Sequence, residues 1–276
     1  MKSSLTAVAT ETLTLLKQGG FRATDGRWVS FAEEQSLAEA QSFVLTPEAG
    51  AQLLNAQAAQ SQGGPPSITV TAERTQEAAR RLVEDEGQEN LVALNFASAR
   101  SPGGGFLRGA KAQEEDLARC SGLYPCLIDQ TAYYEANKTQ RSLVYTDHLI
   151  YAPRIPWFRT HSYDLLDRYF TCSVITAPAP NAGEVLRRDP KAGPNIESAL
   201  RHRAGLILAL ARAQGHRDLL LGAWGCGVFG NEPYTVADAF GAWLESETFA
   251  GAFDHVCFAI FDRNDHALRA FEARFR

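Results

Sequence analysis

The sequence predicts an α/β protein with a central, largely buried sheet flanked by helices and a small helical extension at its N-terminus. Three observations carry this expectation. Beyond residue 66, short β-branched runs alternate with longer segments of helical periodicity, the pattern of a layered α/β domain. Of the 276 residues 45% are hydrophobic, enough to bury a full core. Ahead of that region, Gly63-Gly64-Pro65-Pro66 cannot continue a helix, which sets a helical extension (1–66) apart from the main domain (67–276).

Taken in order, apolar residues between positions 5 and 16 recur at helical spacing and stop at Gly19-Gly20, an amphipathic helix with a glycine end. Thr46 caps a second helix, Pro47 suits its first turn, and the helix runs towards Gly63. Strands are predicted at 67–71, 91–97, 149–151, 171–177, 219–224 and 256–261. Helices are predicted at 76–84, 114–123, 196–214, 233–246 and 266–275. Strands alternating with helices in this way form a sheet covered on both faces.

Composition narrows the function. A formal net charge of -5 leaves no global basic surface, which disfavours a protein that grips nucleic acid by neutralising many phosphates. The five cysteines, at 120, 126, 172, 226 and 257, are odd in number and lack CxxC spacing, so neither a disulfide framework nor a zinc ribbon is expected. The six histidines are scattered without an HExxH or HxH pair, and no metal is expected. Threonines and Glu11 interrupt the N-terminal apolar run that a signal peptide needs, and no stretch approaches the ~20 apolar residues of a membrane span. A soluble, cytoplasmic protein without membrane or direct nucleic-acid partners is the expectation.

Two segments carry chemistry. In the first, strand residues Asn95, Phe96, Ala97 and Ser98 lead to Gly103-Gly104-Gly105, and Gln113-Glu114-Glu115 opens the next helix. In the second, the apolar strand at 219–224 leads to Gly225-Cys226-Gly227-Val228-Phe229-Gly230. Glycines at a strand's carboxyl end either form a tight turn or let backbone N–H groups approach a phosphate or ribose without a Cβ in the way. Binding through oriented amides needs no lysine cluster, so an acidic chain can still hold a diphosphate. Residues 225–230 match GxGxxG in spelling but lie late in the chain and lack the acid that follows a dinucleotide fingerprint; no Walker motif occurs. Cys226, small and set between glycines, reads as a structural residue. Glu114 and Glu115 either complement a helix dipole or do chemistry beside the glycine loop. Adjacent helical residues point roughly 100° apart, so one of the two would react while the other positions.

The triple glycine followed after seven residues by Gln113-Glu114-Glu115 resembles the signature of poly(ADP-ribose) glycohydrolases, which are built on a macrodomain. Asn95 to Ser98 resembles the strand end that contacts ribose in that family, with Ser98 where the animal branch has asparagine. The segment from Trp224 to Gly230 is similar to the family's diphosphate loop, and the short extension resembles the compact bacterial enzymes. The resemblance spans about residues 67–276.

It implies a macrodomain-like mixed sheet and hydrolysis of ribose–ribose O-glycosidic bonds in poly(ADP-ribose), with release of ADP-ribose mainly from chain ends. Glu115 would be the acid/base, Glu114 would orient ribose hydroxyls, Gln113 would support the helix entry and Phe229 would press on the terminal ribose. Asn95, Ala97, Ser98, Gly103, Gly104, Gly105, Gln113 and residues 225–230 would contact substrate. It implies no cofactor or metal, poly(ADP-ribosyl)ated proteins as partners, and a place in the DNA damage response. Two other classes stay in view: a macrodomain that reads ADP-ribose without cutting it, and a hydrolase of mono-ADP-ribosyl adducts or O-acetyl-ADP-ribose.

Overall fold

The structure, a computed structural model, describes residues 4–57 and 63–276. Helix α1 (Leu5–Gln18) is capped by the Ser4 hydroxyl, which accepts the Ala7 N–H, and ends at Gly19 with φ 69°. Strands β1 (Gly20–Arg22) and β2 (Trp28–Ser30) form an antiparallel hairpin. Then come α2 (Ala32–Gln41), β3 (Phe43–Leu45) and α3 (Pro47–Gln57). The expected continuation of α3 towards Gly63 falls on residues 58–62, outside the described residues.

The rest runs β4 (Ser67–Thr71), α4 (Thr75–Arg80), β5 (Leu91–Phe96), α5 (Gln113–Cys120), α6 (Leu123–Ile128), α7 (Thr131–Thr139), β6 (Leu149–Arg159) and β7 (Leu165–Ala177). It closes with α8 (Ala182–Arg188), α9 (Gly193–Ala213), β8 (Asp218–Leu221), α10 (Pro233–Leu244), β9 (His255–Ala259) and α11 (His266–Phe275).

Among the described residues the main sheet has seven strands in the order β3-β6-β7-β5-β8-β9-β4. It is mixed: β3, β6 and β7 pair antiparallel, while β7, β5, β8, β9 and β4 pair parallel. The two-residue period of a strand sends alternate side chains to opposite faces. Val92, Leu94, Leu219, Leu221, Val256 and Phe258 pack under α9, α10 and α11. Leu91, Ala93, Leu220 and Cys257 pack under α4, α5, α6 and α7 on the other face. The expected double coverage is present.

The N-terminal segment differs from the expectation of a purely helical extension. It holds three short strands, and β3 joins the main sheet beside β6. Strands of three residues contain too few positions for an alternation to be read. The predicted 149–151 strand is in fact eleven residues long. Pro153 and Pro156 interrupt its pattern; Pro153 falls in a register shift between Ala152 and Ile155, and Pro156 pairs with Thr171 beyond it.

One topological feature places the site. After β5 the chain passes to α5 on one face; after the neighbouring parallel strand β8 it passes to α10 on the other. Such a divergence opens a crevice at the carboxyl ends of the two strands, where α/β sheets bind ligands. Both glycine segments arise there.

Candidate active site

A cleft of about 2210 Å³ opens at this divergence. Pairing between β5 and β8 stops at Ala93 and Leu220. Beyond it the exposed strand edge is completed by one side chain. Gln113 accepts the Phe96 N–H at 2.8 Å and donates to Leu94 O at 2.8 Å and to Thr75 Oγ1 at 3.2 Å. Its amide does what a neighbouring strand would do, and so fixes the start of α5 against the end of β5.

That anchor presents Glu114 and Glu115 in the first turn of α5. Glu114 is 2% exposed. Its Oε2 accepts the Ser98 N–H at 2.6 Å and its Oε1 accepts Asn95 Nδ2 at 3.3 Å. Burial raises its pKa to about 8, overcoming the hydrogen bonds from Ser98 and Asn95 that favour the anion. Glu115 Oε1 accepts the Gly105 N–H at 2.8 Å, whereas Oε2 is buried with no hydrogen-bond partner. A buried polar atom left open in this way is costly in isolation and is common at reactive sites.

The glycine loop is shaped around these carboxylates. Gly103 and Gly104 adopt φ 62° and 57°, a region that favours glycine. A β-carbon on Gly104 would run into Glu115 Oε1 and lie 3.3 Å from Glu114 Oε2. Ser98 Oγ accepts the Ser101 N–H at 3.1 Å and the Arg100 N–H at 3.3 Å, so its hydroxyl oxygen starts the turn. Arg119, fully buried one turn beyond Glu115, holds the far side of the loop by donating to Ala110 O at 2.6 Å and Phe106 O at 3.2 Å.

The second loop faces the same cleft through Gly225, Cys226, Gly227, Val228 and Phe229. Buried Asn231 closes it, donating from Nδ2 to Pro180 O at 2.8 Å and Gly225 O at 3.0 Å. Phe229 O accepts the Gly183 N–H at 2.9 Å, and the Phe229 ring rests 6.0 Å from that of Tyr145. Among the described residues the successive N–H groups of Gly227, Val228 and Phe229 have no protein acceptor. Consecutive free amides of this kind form a concavity for anionic oxygens. Cys226 is held as a neutral thiol, its pKa pushed up to about 12 by burial, in keeping with a structural residue.

Of the residues singled out from sequence, Ala97, Ser98, Gly104, Gly105, Gln113, Glu114, Glu115 and 225–229 line this one cleft. Three stand behind its wall. Asn95 is fully buried and supports Glu114, Gly103 packs beneath the loop against Tyr124, and Gly230 turns the chain at φ 65°. Sequence reasoning missed Asn231 and Arg119, whose only sequence signal was a polar residue near a glycine loop. It also missed the wall formed by residues 259–264 at the end of β9, which runs into the turn-rich stretch Asp262-Arg263-Asn264-Asp265. Among the described residues no group of three or more His, Cys, Asp or Glu could hold a metal ion.

The family pattern described as "Microbial-type PARG, catalytic domain" matches residues 9–160. A search of curated protein sequences gave no match. The poly(ADP-ribose) glycohydrolase (PARG) of Thermomonospora curvata is 44% identical, with TM-score 0.92 over 98% of this chain and 99% of that one. The same organism's enzyme bound to the inhibitor ADP-HPD gives 43% identity and TM-score 0.90 over the same shares. The enzyme from Deinococcus radiodurans in complex with ADP-ribose is 43% identical, with TM-score 0.82 over 88% of this chain and 97% of that one. With the family pattern spanning both the N-terminal segment and the glutamate loop, and likeness to these enzymes running nearly end to end, the chain belongs to the microbial-type poly(ADP-ribose) glycohydrolase family.

Proposed function

We propose that this poly(ADP-ribose) glycohydrolase cleaves the ribose–ribose O-glycosidic bond with Glu115 as acid and then base, releasing ADP-ribose mainly from chain ends. The observation that carries the assignment is the asymmetry of the Glu115 carboxyl: Oε1 is pinned by the Gly105 N–H and Oε2 lacks a protein partner. A pinned carboxyl with one unengaged oxygen is suited to protonate the leaving ribose oxygen as the C1″ centre takes on oxocarbenium character, and then to take a proton from the attacking water.

Glu114, also a carboxyl, is better suited to orientation. Its elevated pKa favours a protonated, neutral group at neutral pH, which would qualify it as a proton donor. Geometry argues the other way, because both its oxygens are already engaged by Ser98 and Asn95. For an acid/base assignment reach comes before pKa.

The free amides of Gly227, Val228 and Phe229 are proposed to bind the terminal diphosphate, and Phe229 to press on the terminal ribose. Relatives bound to ADP-ribose and ADP-HPD support a site of this chemistry. The substrate's own diphosphate is proposed to stabilise the developing cation. No cofactor is required. Poly(ADP-ribosyl)ated proteins are the proposed partners and the cytoplasm the proposed setting, in turnover of polymer made during a DNA damage response. Five free cysteines support a reducing compartment.

A gel assay against long polymer and against singly modified protein tests the reading. Shortening of the polymer with release of ADP-ribose is expected; binding without cleavage, or removal of single units alone, would favour the reader or the mono-ADP-ribosyl hydrolase.

A further inference from the structure

The proposed function occupies the cleft between the two glycine loops, yet the cleft extends past Glu115 towards α1 and the turn between β6 and β7. Its lining there includes Leu5, Arg108, Lys111, Arg159 and Tyr163. Its total volume, about 2210 Å³, exceeds the roughly 300–1,000 Å³ of an ordinary small-ligand pocket. The bond cut in a linear polymer joins two ADP-ribose units, so the leaving side carries a diphosphate of its own.

We propose that Arg108 and Lys111 form a second diphosphate-binding site, for the ADP-ribose unit on the leaving side of the scissile bond. This rests on the reading of Glu115 given above. The first observation is charge without a partner. Most arginines in this chain are paired with carboxylates, among them Arg74, Arg81, Arg119, Arg159, Arg203 and Arg274. Arg108 and Lys111 line the cleft, are exposed, and have neither an ion pair nor a side-chain hydrogen bond among the described residues.

The second observation is position. The point where a β-carbon on Gly105 would sit is 3.7 Å from Glu115 Oε1 and 3.8 Å from Arg108 Nη2. An unpaired guanidinium and the catalytic carboxyl therefore flank the same glycine. Gly109, between the two cations, packs against Leu5 and Thr6 of α1, which puts this stretch on the α1 side of the cleft.

The third is chemistry. The leaving oxygen belongs to an adenosine ribose whose 5′-phosphate lies one ring away, within the compass of a long side chain standing beside Glu115. Oriented amides serve the terminal diphosphate, but a second diphosphate approaching a chain of net charge -5 needs local cations. A guanidinium matches phosphate oxygens in a two-pronged geometry and an ammonium acts as a point charge.

The test uses the full chain in a Glu115→Gln background, where polymer is not consumed, with Arg108→Ala, Lys111→Ala and the double variant. Affinity is measured for long poly(ADP-ribose) at several salt concentrations, and for ADP-ribose by calorimetry. Expected is a loss of polymer affinity of about tenfold in the double variant, with the slope of log affinity against log salt reduced by about 0.7 per lost contact. ADP-ribose affinity should stay within about twofold of the parent, and Arg108→Lys should recover part of the polymer affinity. Unchanged polymer affinity and salt slope would overturn the proposal, as would an equal loss for ADP-ribose, which would assign both cations to the terminal unit. Polymer cleavage by the chain without substitutions is assayed separately. If that fails while polymer affinity still depends on the two cations, the catalytic reading falls and the second site stands.

Discussion

Gly104 and Glu115 are packed so closely that a β-carbon on the glycine would collide with the glutamate's Oε1. The glycine loop therefore does more than leave its backbone open to a ligand. It is the mould in which the Glu115 carboxyl is set, and Gly105 completes it by donating its N–H to the same oxygen.

Gly104→Ala should accordingly lose turnover. The alanine is strained at φ 57° and displaces Glu115, and a misplacement of about 1 Å at a reacting group can cost about 10²-fold. Gly227→Val makes the contrast. Nothing lies within 4 Å of a β-carbon there and the φ is not positive, so the variant should melt with the parent while ADP-ribose affinity falls. Calorimetry and thermal unfolding of both variants check this; a Gly227→Val chain with full affinity would place the diphosphate elsewhere.

How far the sequence revealed this site follows from what each residue does. Strands after residue 66, and the helices α4, α5, α9, α10 and α11, were legible because burial on two faces leaves apolar runs, as in Leu91 to Leu94; α6, α7 and α8, of six to nine residues, are too short to show a helical period and were not foreseen. Glu114 and Glu115 were legible because a glycine loop preceded them. Gln113 was legible as a support, but its hydrogen bonds to Phe96, Leu94 and Thr75 depend on how far β8 diverges from β5, which no local pattern encodes. Asn231 and Arg119 act on carbonyls brought near by the fold, and β3 gains its place only by pairing with β6, about a hundred residues later.

Asn231→Asp tests the frame of the second loop. The substitution keeps shape but replaces the Nδ2 donor with a carboxylate oxygen facing Pro180 O and Gly225 O. Pro180 O loses its donor and Gly225 O, which keeps the Asn231 N–H, meets a carboxylate oxygen; the change should cost about 1–3 kcal/mol of stability, and loosening the 225–230 loop should weaken ADP-ribose binding. Urea unfolding reads the first effect and calorimetry the second. If stability falls with affinity intact, the loop's binding geometry does not depend on this clasp.

The buried Glu114 carboxyl gives stability a pH dependence of defined sign. Burial holds its pKa at about 8, above the ordinary 4.5. Between those values the folded chain keeps a proton that the unfolded chain releases, so this group's contribution falls as pH rises from about 4.5 to about 8 and is level above that. Glu114→Gln lacks the titration. Its stability relative to the parent should therefore rise across the same window. Denaturant midpoints of both chains over that range provide the measurement; parallel curves would mean that Glu114 ionises in the folded chain as it does in the unfolded one.

Glu115→Gln separates chemistry from binding. The amide preserves the size of the side chain and can still accept the Gly105 N–H, but it can neither deliver a proton to the leaving ribose oxygen nor take one from water. Turnover should fall by about 10²–10⁴-fold, the usual contribution of general acid–base catalysis, with ADP-ribose affinity close to that of the parent. Glu114→Gln should slow turnover less. Its amide can keep one acceptor towards Ser98, yet it places a donor where the carboxyl accepted from Asn95, so hydroxyl positioning suffers while the reacting carboxyl remains. Single-turnover release of ADP-ribose gives the rates, and calorimetry gives the affinities of the same proteins. A Glu115→Gln chain that cleaves near the parent rate beside an inactive Glu114→Gln chain would reverse the two roles, and the proton held on buried Glu114 would then be the one that reaches the substrate. Loss of ADP-ribose binding in Glu115→Gln would instead make this carboxyl part of the binding surface, and the unpartnered Oε2 would be explained by a contact to the ligand in its ground state.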